Sequence, residues 1–329
     1  MKTLQISLLL IAFFMSGCGG SAPTSSPGPV PVATELPLPT ATLEIPTTPE
    51  LFFEIKDESN PLKTPYGIAL DSDENIYLND AGNSRVLIFD SAGRLLSKWD
   101  KKGSGEGEFN SLGFGGIAID SNDNVFVVDN GNHRIQKFDR AGNFLTQWGS
   151  EGTDDGQFVR AIGIAADVAG NVYVTDDGNP FVQKFDNNGQ FLTKWGGAGK
   201  GDGQFSHATG IAVDREGNVF VADYENQRVQ KFDQQGTFIV AWGMGEDIAL
   251  TGTPEGIAID DQGQVYVTDY ALGRMQVFSN EGDFLWSWGI KSFTDPMFKK
   301  PVGIAIDSQG HVYVVNQKGN TVQVFSLPR

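Results

Sequence analysis

The sequence predicts an all-β fold: a six-bladed β-propeller of four-stranded antiparallel blades, with the last blade closed by an N-terminal strand. Three observations predict it. A segment of the form Gly-Ile-Ala-x-Asp opens at Gly67, Gly116, Gly163, Gly210, Gly256 and Gly303, with successive spacings of 49, 47, 47, 46 and 47 residues, the period of a radial or linear array. Each copy holds short runs of β-branched and aromatic residues separated by turn residues, as in "GIAVD", "NVFVAD", "RVQKF" and "FIVAWG" of the fourth; such runs read as strands. The sixth copy stops after "TVQVFSLPR" without a fourth run, and "LFFEIK" at residues 51–56 has the character of the missing one, with Ile55 where Trp148 and Trp195 sit. A strand from the N-terminus that completes the last blade joins first to last and leaves no open sheet edge at the junction.

Taken in chain order, residues 1–17 read as a lipoprotein signal peptide, with Lys2, the apolar run "ISLLLIAFFM" and then small residues. The run is too short to span a bilayer. Its end, "MSGC", resembles the bacterial lipobox, which implies that lipid is attached at Cys18, the single cysteine of the chain. Two or more acyl chains make a stable anchor, so the expected location is the cell envelope, outside the cytoplasmic membrane, with inner and outer membrane both open. Residues 18–50 form the expected linker: from residue 19 on they carry eight prolines, many Ser and Thr, and no Lys or Arg, the composition of an extended tether. At ~3.1 Å per residue such a tether reaches up to roughly 90 Å.

Residues 51–329 form the expected propeller. With Cys18 carrying lipid, no cysteine remains for a disulfide or a thiolate metal site, so packing alone must stabilise the domain. The first hairpin of each copy is "DSDEN", "DSNDN", "DVAGN", "DREGN", "DDQGQ" or "DSQGH", and the next is of the "FDSAG" or "FDQQG" type. Residues that tolerate positive φ suit such turns. The chain has 24 basic and 41 acidic residues, net −17, which argues against nucleic acid as a partner.

The segments "GIAID", "VFVVDNGNHRIQKFD" and "FLTQWG" between Gly116 and Gly149 resemble the NHL repeat, and the resemblance extends over residues 51–329. It implies a six-bladed propeller with a central channel. It does not imply one function, since related repeats serve RNA-binding proteins, receptor-kinase sensor domains and peptidylglycine α-amidating lyases.

What repeats in every copy reads as scaffold. Asp71, Asp120, Asp167, Asp214, Asp260 and Asp307 end the first strand, where a carboxylate can accept N–H bonds of the following turn. Asp80, Asp129, Asp176, Asp223 and Asp269 end the second, and Arg85, Arg134, Arg228 and Arg274 begin the third, which suits an ion pair within the blade. Trp99, Trp148, Trp195, Trp242 and Trp288 suit packing between blades. Binding is expected where the copies differ, around one mouth of the channel, in the loops entering the first strand and joining the second to the third. The candidate ligand-binding residues there are Tyr66, Arg160, His207, Tyr224, Tyr270 and Lys300. Phe181 replaces the usual Arg in the third copy, and the long connections into copies five and six either flank a pocket or pack beneath their loops.

The resulting expectation is a binding or protein-interaction module for a protein, peptide or glycan. The alternative is a metal-dependent propeller enzyme, a lyase or a lactone or ester hydrolase, at the same mouth. No catalytic residue is assigned. The lyase branch of the family implies zinc held by histidines, but by blade topology His133 and His207 lie on the mouth face and His311 on the opposite one. No cofactor is therefore expected, with calcium or zinc as the alternatives to test.

Overall fold

The computed structural model describes residues 49–56, 60–244, 252–292 and 295–327. The signal segment, Cys18 and nearly all of the linker lie outside the described residues. Among those described, no helix is long and apolar enough to cross a membrane.

Six four-stranded antiparallel sheets form the blades. The first contains Ile68–Leu70, Ile76–Asp80, Arg85–Phe89 and Leu95–Trp99, and the pattern recurs to the fifth, Pro254–Ile259, Val265–Asp269, Arg274–Phe278 and Phe284–Trp288. The sixth has three strands from the C-terminal end of the chain, Pro301–Ile306, His311–Asn316 and Thr321–Ser326, and its outer strand is Glu50–Ile55. That strand pairs antiparallel with Thr321–Ser326, with Ile55 opposite Val322. The expected closure by the N-terminus is therefore observed.

Two sets of glycines explain the repeat. The anchor glycines lie where innermost strands crowd around the axis. A Cβ on Gly210 would fall 2.2 Å from the carbonyl oxygen of Glu255, one on Gly256 2.1 Å from that of Val302, and one on Gly303 2.2 Å from that of Tyr66. The contact passes from each blade to the next and, at Gly303, back to the first.

Glycines of the outer hairpins, such as Gly189 and Gly236, have φ of +86°, and a Cβ there would fall 2.4 Å from the indole of Trp148 or Trp195 in the preceding blade. Positive φ and the missing Cβ are both needed. Each indole also meets a phenylalanine of the next blade: the ring centroids of Trp148 and Phe185 are 5.8 Å apart, and those of Trp195 and Phe232 5.9 Å. At the closing junction Ile55 takes the indole's place, packed in one core cluster with Phe89.

The repeated carboxylates are scaffold. Asp214 accepts the Asn218 backbone N–H at 2.7 Å and its side-chain amide at 2.8 Å, which fixes the first hairpin. Asp223 is fully buried. It accepts bonds from Ser206 N at 2.9 Å, Asn226 Nδ2 at 2.8 Å and Arg228 Nε at 2.9 Å. Equivalent pairs join Asp80 to Arg85, Asp129 to Arg134 and Asp269 to Arg274. In the third blade Phe181 removes the guanidinium, and Asp176 takes the backbone N–H groups of Val159 at 2.8 Å and Arg160 at 2.7 Å. Burial pushes the Asp176 carboxyl up from its ordinary range.

The long connection into the sixth blade forms a small ribbon, Ile290–Ser292 with Asp295–Pro296. Phe298 after it is fully buried in a cluster with Trp288 and Phe325, so this connection packs beneath its own loop. Residues 245–251 of the preceding connection lie outside the described residues.

Asp223→Ala leaves Arg228 facing a buried site without its partner and frees two further donors. We expect a loss of about 3 kcal/mol of unfolding free energy, measured by urea denaturation. A variant as stable as the parent contradicts the scaffold role.

Candidate functional site

The channel is narrow at its axis. Ile68, Ile117, Ile164, Ile211, Ile257 and Ile304, each directly after an anchor glycine, line its axis together with those glycines, around a space of about 70 Å³. Above this apolar collar, on the face expected from sequence, a second cavity of about 200 Å³ opens to the mouth.

Residues directly preceding the anchor glycines form its lower wall, because the glycine contact holds each at the top of its strand: Tyr66, Ile162, Thr209 and Glu255 line the cavity. Its upper wall comes from the loops: Phe114, Arg160, Asp177, His207, Tyr224, Tyr270 and Gln317. Five of the six residues singled out from sequence, Tyr66, Arg160, His207, Tyr224 and Tyr270, thus share one cavity. The sixth, Lys300, is outside that lining; its Nζ sits 4.3 Å from the centroid of the Tyr270 ring.

Aromatic rings dominate the walls. Tyr66 and Phe114 meet edge to face with centroids 5.4 Å apart, and Tyr224 and Tyr270 do so at 6.0 Å. The polar groups divide into two sets. At the rim, Arg160 forms an ion pair with Asp177. His207 Nε2 lies 3.5 Å from Asp177 Oδ1, and its Nδ1 lies 3.4 Å from Glu225 Oε2. Lower down, the Tyr66 hydroxyl donates a hydrogen bond to Glu255 across the sixth blade's Val302 position. Both side chains are buried. Burial pushes the Glu255 carboxyl from 4.5 up to about 7, although the bond from Tyr66 pulls the other way. Burial and the Glu255 charge raise the Tyr66 hydroxyl well above its ordinary value.

Sequence reasoning did not select Glu255, Phe114 or Gln317, all of which line the cavity. The available signal for Glu255 was a carboxylate where the other copies have Tyr66, Gly115, Ile162, Thr209 and Val302. Tyr66 also belongs to the core cluster of the closing junction, so it serves packing as well as the cavity.

The three histidines stay apart. His133 caps a short turn beside the second blade, His207 lines the cavity, and His311 Nδ1 lies 2.7 Å from Asp307 Oδ2 in an opposite-face hairpin. Among the described residues no three His, Cys, Asp or Glu side chains are grouped to hold a metal ion. The donor set thus does not fit the histidine-held zinc that the lyase branch implies.

Comparison with known proteins agrees with this architecture. Residues 56–149 match the DUF5128 family, described as a six-bladed β-propeller, and residues 205–232, 251–278 and 298–325 each match the NHL repeat. The chain is an NHL-repeat six-bladed β-propeller. No curated protein matches the sequence of this NHL propeller. Similar solved structures include a catalytically inactive virginiamycin B lyase from Staphylococcus aureus with quinupristin (12% identity, TM-score 0.61, covering 85% of this chain and 88% of that one). A gluconolactonase from Xanthomonas campestris has 14% identity and a TM-score of 0.57, with 85% and 99% covered. Regucalcin, a calcium-binding protein from Agrobacterium tumefaciens, has 11% identity and a TM-score of 0.59, with 84% and 94% covered. At these identities the NHL propeller shares their fold alone.

Because Glu255 binds its proton more tightly in the folded state, its contribution to stability is complete below about pH 4.5 and is lost as pH rises through about 7. The loss amounts to about 3 kcal/mol. Glu255→Gln removes it, so the variant gains on the parent across this interval and is the more stable at pH 8 in urea denaturation. An unchanged difference from pH 4 to pH 8 contradicts the buried carboxyl's role.

Proposed function

We propose that this NHL propeller is a binding module of the cell envelope, held outside the cytoplasmic membrane by lipid on Cys18 and a proline-rich tether, and that it takes its ligand in the mouth cavity. The observation that carries the reading is the convergence of Tyr66, Arg160, His207, Tyr224 and Tyr270 on one cavity. Nothing in the repeat requires these residues: the blades are held by glycines, indoles and Asp–Arg pairs that recur from copy to copy. A concave site with aromatic walls and a few convergent polar groups is the usual form of a ligand pocket. The narrow collar of isoleucines beneath it makes it a cup with a largely apolar base.

A second reading, catalysis in the same cup, is favoured by Glu255. A buried carboxyl whose proton is released near neutral pH, next to a tyrosine hydroxyl, has the character of a proton carrier. That virginiamycin B lyase and a gluconolactonase share the fold is compatible with it.

Tyr224→Ala and Tyr270→Ala are the informative variants, since both side chains are only partly buried, although Tyr270 packs against the core cluster; Tyr66→Ala removes a member of that cluster and is better replaced by Tyr66→Phe. In a thermal-shift screen of peptides, sugars and small metabolites against the full-length protein in detergent, ligands that stabilise the parent should stabilise the double variant at least ~10-fold less well in apparent affinity, with the ligand-free variant still unfolding in one cooperative transition. Hits indifferent to the double substitution refute the mouth as the site. In fractionated cells expressing each form, the parent should sediment with membranes and Cys18→Ser should not.

A further inference from the structure

We propose that the ligand of the mouth cavity carries an organic ammonium group, received between the tyrosine rings and above Glu255. This rests on the binding reading above and names the chemistry of that site.

Three observations carry it. First, Tyr66, Phe114, Tyr224 and Tyr270 supply the cavity with four aromatic rings, in two edge-to-face pairs. Ring faces attract cations, and aromatic cages of this kind suit methylated or primary ammonium groups. The outer ring already shows the preference, since the Lys300 ammonium sits over Tyr270 at 4.3 Å.

Second, the carboxylate at the base has no cation of its own. Glu255 is nine-tenths buried, and among the described residues its carboxylate takes a hydrogen bond from Tyr66 alone and pairs with no Lys, Arg or His. Burying a carboxylate this deeply is costly unless a positive group joins it. A ligand ammonium supplies that group.

Third, the guanidinium that lines the cavity is already paired at the rim. Arg160 is paired with Asp177, and His207 stands between Asp177 and Glu225. The Asp177 side chain is 4% exposed, and its Oδ1 lies beside His207 Nε2. An anionic ligand would meet the Glu255 carboxylate and compete with Asp177 for the guanidinium; an ammonium meets Glu255 as an acceptor without a cation among the described residues. The cavity, about 200 Å³, is below the ~300 Å³ at which drug-sized pockets begin, so it suits a compact head group rather than a whole large ligand.

The test uses three probes of one shape and different charge: choline, the uncharged 3,3-dimethylbutan-1-ol and the anionic 3,3-dimethylbutanoate. Each is titrated by calorimetry into the full-length protein in detergent at pH 8.5, where Glu255 is ionised. Choline should bind at least ~10-fold more tightly than the alcohol, with the carboxylate weakest. Glu255→Gln should weaken choline ~10-fold and leave the alcohol unchanged. Equal or tighter binding of the alcohol or the carboxylate, or no choline binding up to about 10 mM, overturns the ammonium assignment. The broader reading is judged separately: if another probe binds and Tyr224→Ala abolishes it, the mouth remains the site while the ammonium is wrong. If a probe binds with no effect from Tyr224→Ala or Tyr270→Ala, the mouth itself is wrong.

Discussion

The close seating of each anchor glycine against the backbone of the next blade is the constraint on which the rest of the structure depends. A Cβ at Gly210, Gly256 or Gly303 would lie little more than 2 Å from a carbonyl oxygen, well inside van der Waals contact. Only glycine lets the innermost strands approach this closely, and the approach has two results. The isoleucines that follow the glycines line the axis and narrow the channel. The residues that precede them are held at the top of the collar, where they become the lower wall of a cup. A position free to vary in the repeat is thereby delivered to the one place where variation builds a site.

Farther from the axis, the blades adhere through indole, phenylalanine and hairpin glycine, and the same economy recurs. Trp148 and Trp195 each lie over a glycine of the following blade and against a phenylalanine. At the junction between the ends of the chain the indole is absent, and Ile55 on the N-terminal strand fills the position. The last blade is therefore built from both ends of the propeller. Loss of that strand would expose the edge of Thr321–Ser326, so closure protects the fold from edge pairing as well as adding core.

The fold was legible because its determinants recur: six glycines at a nearly constant spacing and an incomplete last copy with its missing strand at the other end. The mouth was legible for the opposite reason. Arg160 and His207 differ from their counterparts, Tyr224 and Tyr270 stand where other copies have Ala81, Asn130, Asp177 and Gln317, and the loops that carry them are bound to lie together. What sequence could not supply was contact across the ring. Tyr66 and Glu255 are 189 residues apart, and no local pattern says that a tyrosine of the first blade reaches over the sixth to a carboxyl of the fifth. Phe114 sits in "LGFGG", where the glycines read as a turn and conceal a ring that packs on Tyr66. Lys300 shares the variable position of Arg160 and His207, yet it covers the outer ring of Tyr270 instead of lining the cavity.

The central claim is that side chains alone, without a resident metal, make the mouth a binding site. The most direct measurement is elemental analysis of zinc, calcium and iron per chain in protein purified without chelator and dialysed. The account predicts that none is retained near one ion per chain. Retention of about one equivalent that is lost on Glu255→Gln or His207→Ala would contradict it and move the metal-dependent enzyme reading ahead.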